Sequence, residues 1–205
     1  MPIKYSCFIS YCHGQGQLMK QFIEQLRKTI DDYTDPFMDE KAFIDEARLQ
    51  PGYRYNEALA QAICQSACMV VVYVPRYERH SYCLREFKAM ELIESNRLMT
   101  FGQQRFQNLR MIIPIILRAD DEEGVPPIIQ DYIQYCNFTK YTTADMDLSK
   151  NLTYVTQIEQ IARSINRILR AMQEPDPCTQ CAEFRLPAIE GVPAWRVPPF
   201  PGTGL

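Results

Sequence analysis

The seven residues Cys68 to Val74 (CMVVVYV) are apolar throughout and do not alternate with polar ones. Successive side chains of a strand point to opposite faces, so a run with no polar member suits a strand covered on both sides. Such a strand belongs at the centre of a parallel sheet, where crossover helices cover both faces. The rest of the chain is then read for the strands and helices that would surround it.

Tyr5 to Ser10 (YSCFIS) predicts a first strand, ended by the polar stretch Tyr11 to Gly16. Leu18, Phe22, Leu26 and Ile30 recur every four residues, with Met19 and Ile23 widening the stripe, which predicts a helix from Gln17 to about Asp32. Ala42 to Ile44 reads as a brief second strand. Asp45 to Gly52 (DEARLQPG) is a charged loop closed by a Pro-Gly turn. Tyr55, Ala58, Leu59, Ala62 and Ile63 follow the spacing of a second helix. After the central strand, Ser81 is read as the N-cap of a third helix running from Tyr82 to about Glu94. Met111 to Leu117 (MIIPIIL) is a fourth strand whose Pro114 has no N–H for the ladder, which pushes it toward a sheet edge or an unpaired position. A short helix and a fifth strand fall by Thr139, the strand within Asp131 to Thr139, and Val155 to Met172 forms a long amphipathic helix. This alternation predicts an α/β fold with a five-stranded parallel sheet between helices, and such sheets bind ligands at the carboxyl ends of their strands.

The chain has 205 residues, enough for one domain and some extra. The extra is visible as a change in composition at Glu174. Seven of the 14 prolines and the single tryptophan, Trp195, lie in Glu174 to Leu205. We therefore divide the chain into a domain, 1–173, and a proline-rich tail, 174–205. Ile189, Val192, Trp195, Val197 and Phe200 stand among those prolines, and a pre-extended segment loses little chain entropy on docking. The tail is expected to pack against its own domain, a neighbouring protomer or a partner.

A net charge of -3 gives no footprint for nucleic acid. The amino-terminal stretch reads as neither signal peptide nor membrane span, so a cytoplasmic protein with no membrane contact is expected, its eight cysteines reduced. Cys7, Cys64, Cys68 and Cys136 sit in apolar patterns as small buried hydrophobes.

There is no Walker or dinucleotide fingerprint, only the loop His13-Gly14-Gln15-Gly16. Cys178 and Cys181 have CxxC spacing without further ligands nearby, so they read as surface thiols and no metal site is expected. His13 and His80, the two histidines, read as solvated loop residues. Tyr82 and Glu86 lie four apart, sharing a face of the third helix at the carboxyl end of the central strand.

Ser81-Tyr82-Cys83-Leu84-Arg85-Glu86-Phe87 resembles the S-x-W-C-L-x-E-L signature of Toll/interleukin-1 receptor (TIR) domains, with tyrosine for the usual tryptophan. Phe8-Ile9-Ser10-Tyr11 is similar to the family's first box, Arg48 to Gly52 to its mobile loop, and Ala58 to Val74 to the helix and strand that follow. The resemblance spans Lys4 to about Met172. It implies a flavodoxin-like three-layer fold and one of two functions. Many bacterial and plant members cleave NAD+ at the nicotinamide-ribose bond with a glutamate at the position of Glu86, whereas animal receptor members mostly act as scaffolds.

From the resemblance we expect an NAD+ nucleosidase similar to the stand-alone bacterial proteins of anti-phage defence. It would yield ADP-ribose or a cyclic ADP-ribose signal, with NAD+ as substrate and no cofactor. Glu86 would be catalytic. Tyr82 would wall the nicotinamide side, Ser10 and Tyr11 line the floor, Asp45 and Arg48 belong to a gate, and Cys83 would be a further substrate-binding residue. The resemblance also implies self-association through TIR surfaces and an activating or downstream partner protein. The alternative is a TIR-TIR signalling scaffold without turnover. This chain departs from the family's usual pattern in having Gly14-Gln15-Gly16 where an acidic residue often follows the first box.

Overall fold

The computed structural model describes residues 3–14, 16–44, 55–107, 109–121, 124–130, 135–141, 147–172 and 181–195. Its strands are β1 (Tyr5–Tyr11), β2 (Lys41–Phe43), β3 (Ser66–Tyr73), β4 (Ile112–Ile116) and β5 (Cys136–Asn137). They alternate with helices α1 (Gln17–Thr34), α2 (Tyr55–Cys64), α3 (Ser81–Phe101) and α4 (Pro127–Gln130), and α5 (Leu152–Ala171) closes the domain. The sheet is parallel in the order β2-β1-β3-β4-β5. Every residue of β3 is buried, as its unbroken apolar run requires. Among the described residues no helix is long and apolar enough to cross a membrane.

The helices bury most of the stripes that their periodicity marked, with Leu18 and Tyr55 at the helix starts left exposed. Phe22, Ile23, Leu26 and Ile30 of α1 are buried, as are Ile158, Ile161, Ile165, Ile168 and Leu169 of α5. Two local expectations change. Ser81 is the first helical residue of α3 and not its cap, because His80 holds the extended backbone at the N-cap position and its carbonyl accepts from Leu84 N at 3.2 Å. The helix also runs a full two turns past Glu94, to Phe101, ending at Gly102, whose φ of 80° suits glycine. Pro114 does not put β4 at the sheet edge, since β4 pairs with both β3 and β5. Tyr73 O accepts from Leu117 N, so odd-numbered residues of β4 face β3 and Pro114 faces the β5 side. Among the described residues β5 pairs with Ile115 and Ile116, which leaves the missing N–H of Pro114 outside that ladder.

Buried charges fasten α3 to the sheet. Arg97 donates to Cys64 O at 2.8 Å and Ala67 O at 3.0 Å, bridging the α2–β3 junction. Glu94, also buried, pairs with Arg110 and accepts from Met111 N at 3.2 Å.

The described part of the tail docks on its own domain. Cys181, Leu186 and Trp195 are buried in the same core as the sheet residues. Cys181 forms a disulfide with Cys64 at the end of α2, across a sequence separation of 117 residues. This corrects the expectation of eight reduced thiols, and that of Cys181 as a surface thiol. Cys64 was read correctly as buried, but sequence spacing holds no information about a partner that only folding brings near. The argument for a reducing compartment loses its ground with this pair. Cys7 and Cys68 are buried free thiols, while Cys136 is half-buried.

Candidate functional site

Strand β1 ends, and α3 begins, on the carboxyl side of the sheet, where ligands of such folds bind. Side chains from the two elements meet there. Ser10 Oγ donates to Glu86 Oε2 at 2.6 Å, although 76 residues separate them. Glu86 is 5% exposed and Ser10 1%. The carboxylate therefore faces inward under the end of the sheet and does not sit at an open pocket edge. The place of the helix start after the central strand gave its end of the sheet but not its depth.

Tyr77 extends the network. Its hydroxyl lies 2.7 Å from Ser10 Oγ and 3.2 Å from Cys83 O. Ser10 gives its single proton to Glu86, so toward Tyr77 it can only accept. The single Tyr77 proton faces two acceptors, Ser10 Oγ at the shorter contact and Cys83 O at the longer. Burial pushes the Tyr77 hydroxyl well above its ordinary pKa, and the Cys83 and Glu86 charges add to this, so it remains a neutral donor. The relay runs from Tyr77 to Ser10 to Glu86. Tyr77 lies in the one-turn 3-10 helix Tyr77–Arg79 between β3 and α3. The sequence signalled only a loop there, and an isolated tyrosine in a loop carries no periodic signal.

Behind Tyr77 stands the tail. The Trp195 ring is 5.3 Å from the Tyr77 ring and stacks on Tyr73 at 6.4 Å. Arg85, next to Glu86 in α3, donates from Nε to Pro187 O at 2.7 Å.

A second group occupies the mouth of the same region. The Tyr11 ring stacks on His13 at 4.5 Å, and Tyr11 O accepts from Cys83 Sγ at 3.6 Å. Cys12, His80 and Cys83 cluster around them, with Cys83 Sγ 3.5 Å from His80 Nδ1. The hydrogen bond between the two thiols lowers the pKa of Cys12 and raises that of Cys83, and burial raises Cys83 further. Burial holds His80 below its ordinary pKa, with Arg76 and His13 adding to the effect. The two histidines are thus partly buried and partnered, which corrects their reading as solvated loop residues. Tyr82 borders this group through His80, with the two ring centroids 6.4 Å apart, and meets Tyr55 edge-on at 5.6 Å with the Arg85 guanidinium over its ring at 5.4 Å.

Of the residues singled out from the sequence, Ser10, Glu86 and Cys83 are thus brought into one network, and Tyr11 touches it through its carbonyl. Tyr82 borders the region through α2. Asp45, Arg48 and the remainder of Asp45 to Gly52 lie outside the described residues, as does Cys178. Tyr77, Cys12, His80 and Trp195 are the additions.

The comparisons with known proteins agree with this architecture. The family model described as TIR domain matches residues 7–152. Among solved structures, the chain is similar to the TIR domain of the Toll-related Receptor TRR-2 from the lower metazoan Hydra magnipapillata. The TM-score is 0.51 at 17% identity, covering 78% of this chain and 98% of that one. At that identity the likeness speaks for the fold. No curated protein matches.

Proposed function

The chain belongs to the TIR-domain family, and from that premise we propose that it is an NAD+ nucleosidase that uses Glu86 to cleave the nicotinamide-ribose bond. The observation that supports this reading is the carboxylate of Glu86, positioned by Ser10 at 2.6 Å at the carboxyl end of the sheet. Glycosidases ordinarily pair a carboxylate with a carboxylic acid, because a departing alkoxide must be protonated. Nicotinamide needs no such proton, since it leaves the cationic glycoside as a neutral base. The C–N bond breaks with its electron pair going to the pyridine nitrogen, and positive charge develops on the ribose. One fixed carboxylate stabilises that charge. Water then adds to the anomeric carbon and loses a proton, giving ADP-ribose; attack by a nucleophile of the same molecule gives a cyclic product.

In this reading Ser10 and Tyr77 are positioning residues, Tyr11 and Cys83 shape the mouth, and Tyr82 borders the nicotinamide side. Asp45 and Arg48 are assigned to the gate on family resemblance alone. So are self-association, a cytoplasmic setting and a role in anti-phage signalling. A scaffold without turnover is the second reading, favoured by the 5% exposure of Glu86, which requires neighbouring groups to move before a substrate reaches it.

One experiment separates the two. Purified full-length protein is incubated with NAD+ across a range of protein concentrations, and the products are chromatographed. Release of nicotinamide that disappears in Glu86→Ala and Glu86→Gln, both still folded, supports the nucleosidase. Turnover that survives both substitutions removes Glu86 from the mechanism, and absence of turnover at every concentration leaves the scaffold.

A further inference from the structure

The chain has two histidines and eight cysteines, and one histidine and two cysteines converge beside Glu86. Cys12 follows the last residue of β1, His80 caps α3, and Cys83 lies in the first turn of that helix. The i, i+3 spacing of His80 and Cys83 sets both on one face of the helix start. Cys12 arrives from a different element, placed there by the parallel pairing of β1 with β3. One ligating atom from each of the three residues lies within 4.8 Å of the others.

Those spacings suit a particular chemistry. Tetrahedral zinc, with metal-sulfur bonds of about 2.3 Å and metal-nitrogen bonds of about 2.0 Å, holds S and N ligands roughly 3.5 Å apart and two S ligands roughly 3.8 Å apart. The observed separation of Cys83 Sγ and His80 Nδ1 is 3.5 Å. Hydrogen bonding accounts for the contacts of Cys83 with Cys12 and with His80, but it does not require the Cys12 and His80 ligand atoms to lie within 4.8 Å of each other as well. Carboxylate-binding cations are a poor match for a set with two sulfurs.

We propose that Cys12, His80 and Cys83 form a site for a thiophilic divalent cation of the zinc class, with the fourth position taken by water or an exogenous ligand. Binding releases the two thiol protons to solvent and leaves all oxidation states unchanged. The Cys83 hydrogen bond to Tyr11 O is given up in exchange for the metal bond. The bound ion ties the end of β1 to the start of α3. Cys12 is two residues from Ser10 and Cys83 three from Glu86, so the ion also holds the two elements that carry the Ser10–Glu86 contact. The site stands independently of the nucleosidase reading, because its occupancy is measured without NAD+.

The test uses the full chain with its disulfide intact, in anaerobic buffer without thiol reductant, titrated with cobalt(II) alone. The expected result is a thiolate-to-cobalt charge-transfer band together with the intense visible bands of tetrahedral cobalt. Both saturate at one equivalent and are bleached by zinc. Cys12→Ser, His80→Ala and Cys83→Ser should each lose or weaken the bands, while Cys136→Ser retains them. Zinc should also raise the melting temperature of the parent protein, but not that of the His80→Ala variant. Absence of a stoichiometric cobalt spectrum in the parent protein overturns the site, whatever the variants do. Bands that persist unchanged in all three variants overturn it as well.

Discussion

The indole of Trp195 meets the ring of Phe87, the residue after Glu86, edge to face at 4.8 Å and 71°. A tail that begins three residues beyond the last core helix thereby packs against the residue adjoining the candidate carboxylate. Phe87 is itself 1% exposed. The tail is part of the wall behind the site.

Trp195 is the only tryptophan, so its fluorescence reports this contact alone. Emission from the native protein should be blue-shifted, and removal of Pro175 to Leu205 should abolish it while the core remains folded. Trp195→Ala should lower the unfolding free energy by about 3 to 5 kcal/mol, the usual cost of emptying a buried aromatic site. A water-exposed emission maximum in the native full chain would contradict the docking.

Ser10 acts through Glu86, so its removal should appear in kcat more than in KM. The hydrogen bond from Ser10 to the carboxylate is charge-assisted, a class worth about 1.5 to 3 kcal/mol. Ser10→Ala should accordingly slow NAD+ cleavage by roughly 10-fold or more, with KM little changed. Tyr77→Phe, which keeps the ring packed against Trp195, should have a smaller effect in the same direction. Equal losses in kcat and in binding would show instead that Ser10 touches substrate.

Closing a loop of 117 residues with a disulfide removes chain entropy from the unfolded state worth about 4 to 5 kcal/mol on the loop-closure model. Measured effects are commonly smaller, so Cys181→Ser should lower the unfolding free energy by about 2 to 4 kcal/mol. Reductant should bring the parent protein down to the variant's denaturation midpoint and leave the variant unchanged. A midpoint insensitive to both would mean that the tail is held by packing alone.

Burial raises the pKa of Glu94 above its ordinary 4.5, outweighing the pull of Arg110, which solvent screens. Between the unfolded and folded pKa values the native state keeps a proton that the unfolded chain has lost. This group's contribution to stability therefore falls as pH rises through that window and is constant above it. Glu94→Gln removes the fall. The stability of the variant relative to the parent should thus increase from about pH 4 upward and then level off. Chemical denaturation at several pH values measures this, and a gap that narrows with rising pH would mean that the ion pair outweighs burial.

Local pattern by itself determined the alternation of strands and helices, because hydrophobic spacing of two or four residues is written in consecutive positions. The unbroken run at Cys68 to Val74 placed the central strand. The position of Glu86 in the first turns of the helix after the central strand put that carboxylate at the carboxyl end of the sheet, and resemblance to a family supplied its expected role. Tertiary structure decided what depends on residues distant in sequence. It brought Ser10 to Glu86, placed Tyr77 behind them, joined Cys64 to Cys181, set Trp195 against Phe87 and gathered Cys12, His80 and Cys83 at one point. The register of parallel strands and the direction in which α3 leaves the sheet select the pairings within the domain, and the docking of the tail selects those of Cys181 and Trp195. A hydroxyl, a thiol or an indole carries no mark in the chain of the group it will meet, since the energy of the contact exists only once the sheet has brought the two together.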